Sequence, residues 1–271
     1  MNNNSIVNFQ EKQLIGSGTF GNVYKASHPI DGRTYAIKVI AISDQDEDSI
    51  PKAVNEVRLL ASLEHPNIVR YFGSFISAQN ELCIQMEYCK STLEELLKSN
   101  SLDFTQKINI MFQIAHGVSY LHNLNIIHRD LKPANILIRE NNIVRISDFG
   151  ISSLDYNISC FDSYGTYIYT DPQIYNHKRL PDKYGDIYSL GIILTEMLLS
   201  FKTQMERAAV LGNVTNSKDW ENTIHPFAFE TIICCTDKDL TKRPTANNLV
   251  LTFNNAEHIT ASLEDIKTIT T

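Results

Sequence analysis

His128-Arg129-Asp130-Leu131-Lys132-Pro133-Ala134-Asn135 is followed, after a short hydrophobic-flanked spacer, by Asp148-Phe149-Gly150. These residues are the ones in the chain best suited to chemistry. The carboxylate of Asp130 can accept or orient the proton of a hydroxyl. Lys132, two residues on, can neutralise a transferring phosphate. The Asn135 amide and the Asp148 carboxylate offer the hard oxygen atoms that Mg²⁺ takes. Phosphoryl transfer from a Mg-nucleotide needs that combination, because its catalysis is nearly all positioning and charge neutralisation. A lone Asp in a loop is usually a turn or cap residue. The whole set at this spacing is hard to explain that way.

A phosphate cradle lies upstream. Gly16-Ser17-Gly18-Thr19-Phe20-Gly21-Asn22-Val23 fits G-x-G-x-x-G-x-V. Its glycines let the backbone fold tightly and turn N–H groups onto phosphate oxygens. The first six positions also suit a dinucleotide-binding turn, but that fold would place a helix directly after the glycines. Here strand-like Val23-Tyr24-Lys25-Ala26 follows, then a turn, then Tyr35-Ala36-Ile37-Lys38. A lysine ending an apolar strand would point into a cleft and reach the alpha and beta phosphates. Glu56, at the start of the first long amphipathic helix, is its natural ion-pair partner.

The elements that must hold these groups follow from periodicity. Gln13–Ile15 and Asn22–Ala26 read as strands flanking the glycine turn, and Thr34–Ile40 as a third strand after the Asp31-Gly32 turn. Val54, Val57, Leu60 and Leu63 recur at helical spacing. Val69–Phe75 and Leu82–Tyr88 read as two more strands. Beyond Tyr88 the pattern is helical: Leu93-Leu96-Leu97, Ile108–Leu121, Ile187–Leu199, Thr203–Val210 and Ala228–Cys235. Ile187–Leu199 is apolar nearly all round, which predicts a helix buried in the centre of a lobe. Pro244 sits where a last helix would start, and that helix would run to about Phe253. Strands first and helices second predict an α+β chain of two lobes, with the catalytic loop near the joint.

Composition narrows the classes. The 271 residues suit one large domain or two lobes sharing a cleft, and 43% of them are hydrophobic, enough for a packed core. A net charge of −7 argues against nonspecific nucleic-acid binding. The five cysteines are odd in number and lack C-x-x-C spacing, against a zinc site or a disulfide framework. They suit a reduced, cytoplasmic setting. The start Met1-Asn2-Asn3-Asn4-Ser5 lacks the basic and apolar regions of a signal peptide. Ile187–Leu199 contains Ser189, Thr195 and Glu196 and is too short to span a bilayer.

With these residues in place, the chain resembles the eukaryotic protein kinase family from about Phe9 to Phe253. The resemblance implies a two-lobed kinase fold, with a small β-rich N-lobe over about 9–88 carrying one long helix. A larger, mainly helical C-lobe would cover about 89–253, between an N-terminal extension, 1–8, and a tail, 254–271. It implies ATP and Mg²⁺ as cofactors, Asp130 and Lys132 as catalytic residues, and Asn135 and Asp148 as metal ligands. The implied ATP-binding set is Ile15, Gly16, Ser17, Gly18, Thr19, Phe20, Gly21, Asn22, Val23, Ala36, Lys38, Glu56, Glu87, Cys89 and Leu137. Within it, Val23 and Ala36 match the positions that sandwich the adenine ring, and Glu87-Tyr88-Cys89 matches the hinge. Asp186 matches the buried aspartate that anchors the catalytic loop, and Arg243 the late arginine that braces the end of the activation segment.

A narrower resemblance rests on Ile30–Lys38, on Ile84-Gln85-Met86-Glu87-Tyr88-Cys89 with Lys90-Ser91-Thr92-Leu93, and on Phe201-Lys202-Thr203-Gln204-Met205-Glu206-Arg207. All three are similar to kinases of the alpha subunit of translation initiation factor 2. In that group the helix with the Thr-x-x-Glu pattern docks the substrate, and Thr203 and Glu206 are the matching positions. Thr-x-x-Glu is also the capping-box pattern. Four departures stand out. Pro172-Gln173 replaces Pro-Glu, which predicts a neutral hydrogen bond from Arg243 to Gln173 in place of an ion pair. Phe161 stands where the group has its regulatory threonine, leaving Ser159 and Ser163 as the best phosphorylation candidates, with Thr166 positioning the acceptor. Asn4 and Asn8 stand where the group has the Arg and Asp of its dimer salt bridge, so a homodimer is left open. The usual long N-lobe insert is missing. The expected function is a serine/threonine kinase acting on a protein, with initiation factor 2 alpha as substrate and translation restrained. The alternatives are an active kinase with a cell-cycle type substrate and a non-catalytic kinase-fold scaffold.

Overall fold

Two faces of one sheet organise the first part of the chain. The computed structural model describes residues 9–18, 21–41, 49–99, 101–149, 166–214, 220 and 223–256. The chain divides into two compact units, Met1–Lys90 and Ser91–Thr271. In the first, strands β1 (Gln10–Gly18), β2 (Gly21–Ser27), β3 (Thr34–Ala41), β4 (Tyr71–Ile76) and β5 (Glu81–Glu87) form an antiparallel sheet of order β1-β2-β3-β5-β4. Helix α1 spans Ser49–Ser62. The β-branched and aromatic content of β3, Thr-Tyr-Ala-Ile-Lys-Val-Ile-Ala, suits a pleated, half-buried strand.

Side chains alternate across a strand, so β3 sends Tyr35 and Ile37 one way and Ala36 and Lys38 the other. Tyr35 and Ile37 join Phe9, Ala26 and Cys83 in a buried cluster, with Val39 and Phe75 packed against it. Tyr35 also makes an edge contact with Phe9, ring centroids 6.1 Å apart. Antiparallel register sets Val23 opposite Lys38, Lys38 opposite Ile84, and Ala36 opposite Met86. Directly opposed residues share a face, so Val23, Ala36, Lys38, Ile84 and Met86 lie together on the other side.

The second unit is helical around one buried helix. It contains α2 (Leu93–Ser99), α3 (Phe104–Asn123), α4 (Pro172–Tyr175), α5 (Lys183–Leu198), α6 (Gln204–Leu211), α7 (Pro226–Thr236) and a last helix, α8, described over residues 246–256. Short strands β6 (Ser91–Thr92), β7 (Ile136–Ile138) and β8 (Val144–Ile146) make a small sheet of order β6-β7-β8. Asp182 caps α5 by accepting from the Gly185 N–H at 3.0 Å, and Gly185 through Met197 are all buried. That burial is what the all-round apolarity of Ile187–Leu199 predicts. Asp103 and Gln106 form a reciprocal capping box on α3. One boundary differs from expectation. Pro244 does not open α8, because the Thr245 hydroxyl accepts from the Asn248 N–H and caps it instead, and α8 passes Phe253 to reach residue 256.

Candidate active site

In the first unit the glycine-rich hairpin runs from β1 into β2, with Gly18 paired to Gly21. Gly21 has φ +114°, and a Cβ there would fall 2.3 Å from the Val39 carbonyl oxygen. Only glycine fits that approach. Ile15, Ser17 and Asn22 are exposed along the hairpin, while Thr19 and Phe20 lie outside the described residues. Lys38 Nζ donates to Glu56 Oε1 at 2.6 Å, and both side chains are buried. The ion pair therefore forms as the sequence predicts, between β3 and α1. Val23 and Ala36 share the face of Lys38. Glu87 closes β5, and its N–H donates to the Arg70 carbonyl at 2.9 Å; half-buried Cys89 follows two residues on.

In the second unit Asp130, Lys132 and Asn135 converge. Lys132 Nζ donates to Asp130 Oδ2 at 2.7 Å, and Asn135 Nδ2 donates to the same oxygen at 2.9 Å and to the Asp130 carbonyl at 2.8 Å. Asp130 Oδ1 is buried with no hydrogen-bond partner among the described residues. A buried carboxylate oxygen left open in this way suits a hydroxyl donor from outside the chain. The Ser147 N–H and hydroxyl both donate to the Asn135 carbonyl, at 3.0 and 3.1 Å, which draws Asp148 to the same loop. Asp148 has φ 65°, in the left-handed region, beside fully buried Phe149. Leu137 is half-buried on β7.

The loop is held from beneath. Asp186 Oδ2 accepts from the His128 N–H at 2.9 Å and contacts His122 Nε2 at 2.9 Å, while Oδ1 accepts from the Arg129 N–H at 2.9 Å. Burial disfavours the Asp186 charge, but the His122 bond and the nearby histidines and amide outweigh it and hold its pKa below the ordinary carboxylate value. His128 is fully buried, rests against Phe149 with centroids 5.1 Å apart, and contacts the Ser147 carbonyl at 3.0 Å.

The donor set fits Mg²⁺ in part. The Asn135 amide nitrogen is engaged by Asp130, so its oxygen is the atom left for a cation, alongside the Asp148 carboxylate. Among the described residues no group of three or more His, Cys, Asp or Glu side chains could hold a metal alone. Two hard-oxygen donors suit an ion that keeps waters and takes phosphate oxygens as its remaining ligands.

The acceptor side corrects one expectation. Arg243 does not pair with Gln173, whose amide donates instead to the Lys238 carbonyl at 2.8 Å. Arg243 pairs with Asp171, two residues earlier, and donates to the Tyr184 carbonyl at 2.9 Å. Asp171 also pairs with Arg179 and caps α4 by accepting from the Gln173 N–H at 2.8 Å. The brace is ionic after all, because a carboxylate stands just before Pro172, where Asp171 meets Arg243. The visible signal was Asp-Pro, an N-cap followed by proline at the first helical position. Ser159 and Ser163 lie outside the described residues, and Thr166 opens a 3₁₀ turn, Thr166–Tyr169. Thr203 and Glu206 are exposed on α6, where the Thr203 hydroxyl accepts from the Glu206 N–H at 3.0 Å and the Glu206 carboxylate accepts from the Lys202 N–H at 2.7 Å. Thr203 thus caps α6, but Glu206 reaches back to the N–H before the cap and not to that of Thr203, so the reciprocal capping box does not form.

Residues 9–252 match the protein kinase domain. This chain belongs to the protein kinase family. Its kinase domain has the two-lobed α+β fold, with a sheet-rich first unit and a helical second. Similar proteins include serine/threonine-protein kinase dst1 of Dictyostelium discoideum, 32% identical over 265 residues, covering 91% of this chain and 34% of the relative. The eIF-2-alpha kinase GCN2 of Arabidopsis thaliana is 30% identical, over 76% of this chain and 21% of its own length. The interferon-induced, double-stranded RNA-activated protein kinase of Rattus norvegicus is 37% identical, over 73% and 42%. The kinase domain described here thus spans well under half the length of these relatives.

Proposed function

We propose that this kinase domain moves the gamma-phosphoryl group of Mg-ATP to a serine or threonine hydroxyl of a protein. The observation that carries the reading is the open, buried Asp130 Oδ1 beside Lys132 and Asn135. Asp130 orients the acceptor hydroxyl and takes its proton as the oxygen–phosphorus bond forms and the bond to the ADP oxygen breaks. Lys132 offsets charge on the transferring group, and Lys38, held by Glu56, meets the alpha and beta phosphates. Asn135 and Asp148 would hold Mg²⁺, which would neutralise phosphate charge when bound. In the first unit the glycine hairpin, Val23, Ala36 and the Glu87–Cys89 stretch would receive the nucleotide. A non-catalytic scaffold is disfavoured because Lys38, Asp130, Asn135 and Asp148 are all present.

The proposed acceptor is initiation factor 2 alpha, and the consequence is restrained translation. The similarity to an Arabidopsis thaliana relative named as an eIF-2-alpha kinase, and the local likeness of Phe201–Arg207, support that choice. A kinase with another protein substrate is the second reading, favoured by the similarity to dst1 and by the capping bonds of Thr203 and Glu206. Purified domain is offered folded initiation factor 2 alpha and a short generic peptide, with Asp130→Asn as the control. Thr203→Ala/Glu206→Ala should impair transfer to the folded factor and spare the peptide, because docking away from the chemistry concentrates one hydroxyl at Asp130. Equal loss on both acceptors, the outcome of a lost cap worth about 1 kcal/mol, would leave only the second reading.

A further inference from the structure

A cavity of about 250 Å³ opens in the second unit between the end of α3, the start of α5 and the first turn of α8. It shares no residue with the cluster of Asp130, Lys132 and Asn135. His122, on α3, lines it and is only 8% exposed. The His122 Nε2 lies 2.9 Å from Asp186 Oδ2. The Asp186 carboxylate also accepts from two backbone N–H groups, so it is the acceptor here and Nε2 carries the proton. With Nε2 turned to α5, Nδ1 is the polar atom the ring has for the cavity. Nδ1 has no hydrogen-bond partner among the described residues. Polar groups this deeply buried are as a rule hydrogen-bonded, so this nitrogen is open to a ligand.

The walls select the ligand. No Asp or Glu side chain lines the cavity, although the chain carries a net charge of −7. Lys183 Nζ gives one proton to Asn125 Oδ1 at 2.9 Å and has two more to offer. The Ser119 hydroxyl donates to Asn247 Oδ1, and the Asn247 amide N–H groups meet no acceptor among the described residues. The Thr245 hydroxyl accepts from the Asn248 N–H at 3.2 Å and keeps its own proton. The first turn of α8 adds partial positive charge. The space is smaller than the ~300 Å³ at which drug-sized pockets begin, so it suits a small metabolite. A phosphate monoester meets these groups better than a carboxylate. Phosphate monoesters and imidazoles both titrate between about 6 and 7. One proton can therefore sit on either partner: a P–O–H donates to a neutral Nδ1, or an imidazolium donates to the dianion. A carboxylate, already ionised there, can use only the imidazolium.

We propose that this cavity binds a small phosphate monoester through His122, Lys183 and Asn247, and that the bound group is felt at the catalytic loop through Asp186. The route is a chain of observed bonds. His122 Nε2 meets Asp186 Oδ2, which accepts from the His128 N–H at 2.9 Å, and Oδ1 accepts from the Arg129 N–H at 2.9 Å. Asp130 follows directly. Hydrogen bonds in such a chain polarise one another, so a phosphate on Nδ1 alters the hold of Nε2–H on the carboxylate. Nothing in this depends on which hydroxyl the enzyme phosphorylates.

The test is a nuclear magnetic resonance titration of the purified protein with glycerol 3-phosphate, without nucleotide or Mg²⁺. The His122 ring nitrogens should shift saturably with a midpoint below about 10 mM. The His128 and Arg129 amides should shift in step. Lys183→Met removes the ammonium, and Asn247→Asp keeps the acceptor for Ser119 but adds a negative charge. Neither side chain is buried, so both variants should melt as wild type does. Each should raise the midpoint roughly tenfold or more, the loss of a charge-assisted bond. Glycerol and inorganic sulfate should give no saturable shift at His122, the first lacking the charge and the second a proton to share near neutrality. Saturation by sulfate at the same midpoint overturns the phosphate assignment. An unshifted His122, or a midpoint unchanged in both variants, overturns the site. Shifts at His122 with none at His128 and Arg129 overturn the link to the catalytic loop.

Discussion

Lys38 and Glu56 show how one pair can serve stability and chemistry at once. Both are buried, and their bond is 2.6 Å. Lys38→Met would remove the lysine partner of a buried carboxylate, so it should destabilise by about 3–5 kcal/mol as well as stop transfer. Lys38→Met/Glu56→Met should regain most of that stability and stay inactive. Denaturant melts beside kinetics separate the two effects, and Asp148→Ala, in a half-buried loop, should lose activity with a small change in the melt. Asp186 behaves differently with pH. Its pKa is lower folded than unfolded, so its bonds to His122, His128 and Arg129 stabilise above the ordinary carboxylate value of 3.8 and are lost as pH falls below it. Asp186→Asn should therefore be clearly less stable than wild type near neutrality. The gap should close in acid, as urea melts at the two pH values would show.

At the scale of elements, α5 and α7 meet with almost no space between them. A Cβ on Gly191 would lie 2.8 Å from Cys235 Cβ and 2.8 Å from Thr236 Cγ2. Gly191→Val should cost about 1–3 kcal/mol through overpacking, read as a lower denaturation midpoint. The elements themselves were largely legible in the sequence. The two-residue alternation of β3, the glycine punctuation before β2 and the all-round apolarity of α5 each carry a local physical signature. The β6-β7-β8 sheet was not legible, because strands of two or three residues are too short to show a period. Nor was the start of α8, where a threonine cap took the place expected for Pro244.

For the whole molecule, what was legible in the site followed sequence distance. Asp130, Lys132 and Asn135 lie within a few positions, so their convergence could be read directly. His122 and Asp186 are 64 positions apart and Asp171 and Arg243 are 72 apart, and only the packed unit brings them together. A glutamine after Pro172 predicted a weakened brace, and nothing local revealed that Asp171 would take it over. The net charge of −7 acts at this scale too. The protein should pass through a heparin column unretained at physiological salt, since it lacks the excess of cations that releases counterions from a polyanion. Retention there would point to a basic surface hidden within the acidic total.

The alternation of β3 has a consequence for how little must change to undo it. Ile37→Lys/Lys38→Ile exchanges two neighbours and leaves mass, composition, net charge and mean hydropathy as they were. Yet it would set an ammonium among Phe9, Ala26, Tyr35 and Cys83 and an isoleucine where Glu56 now meets Lys38. The transposed chain should fail to fold its first unit. What β3 contributes to the enzyme is thus the phase of a pattern, which no inventory of its residues records.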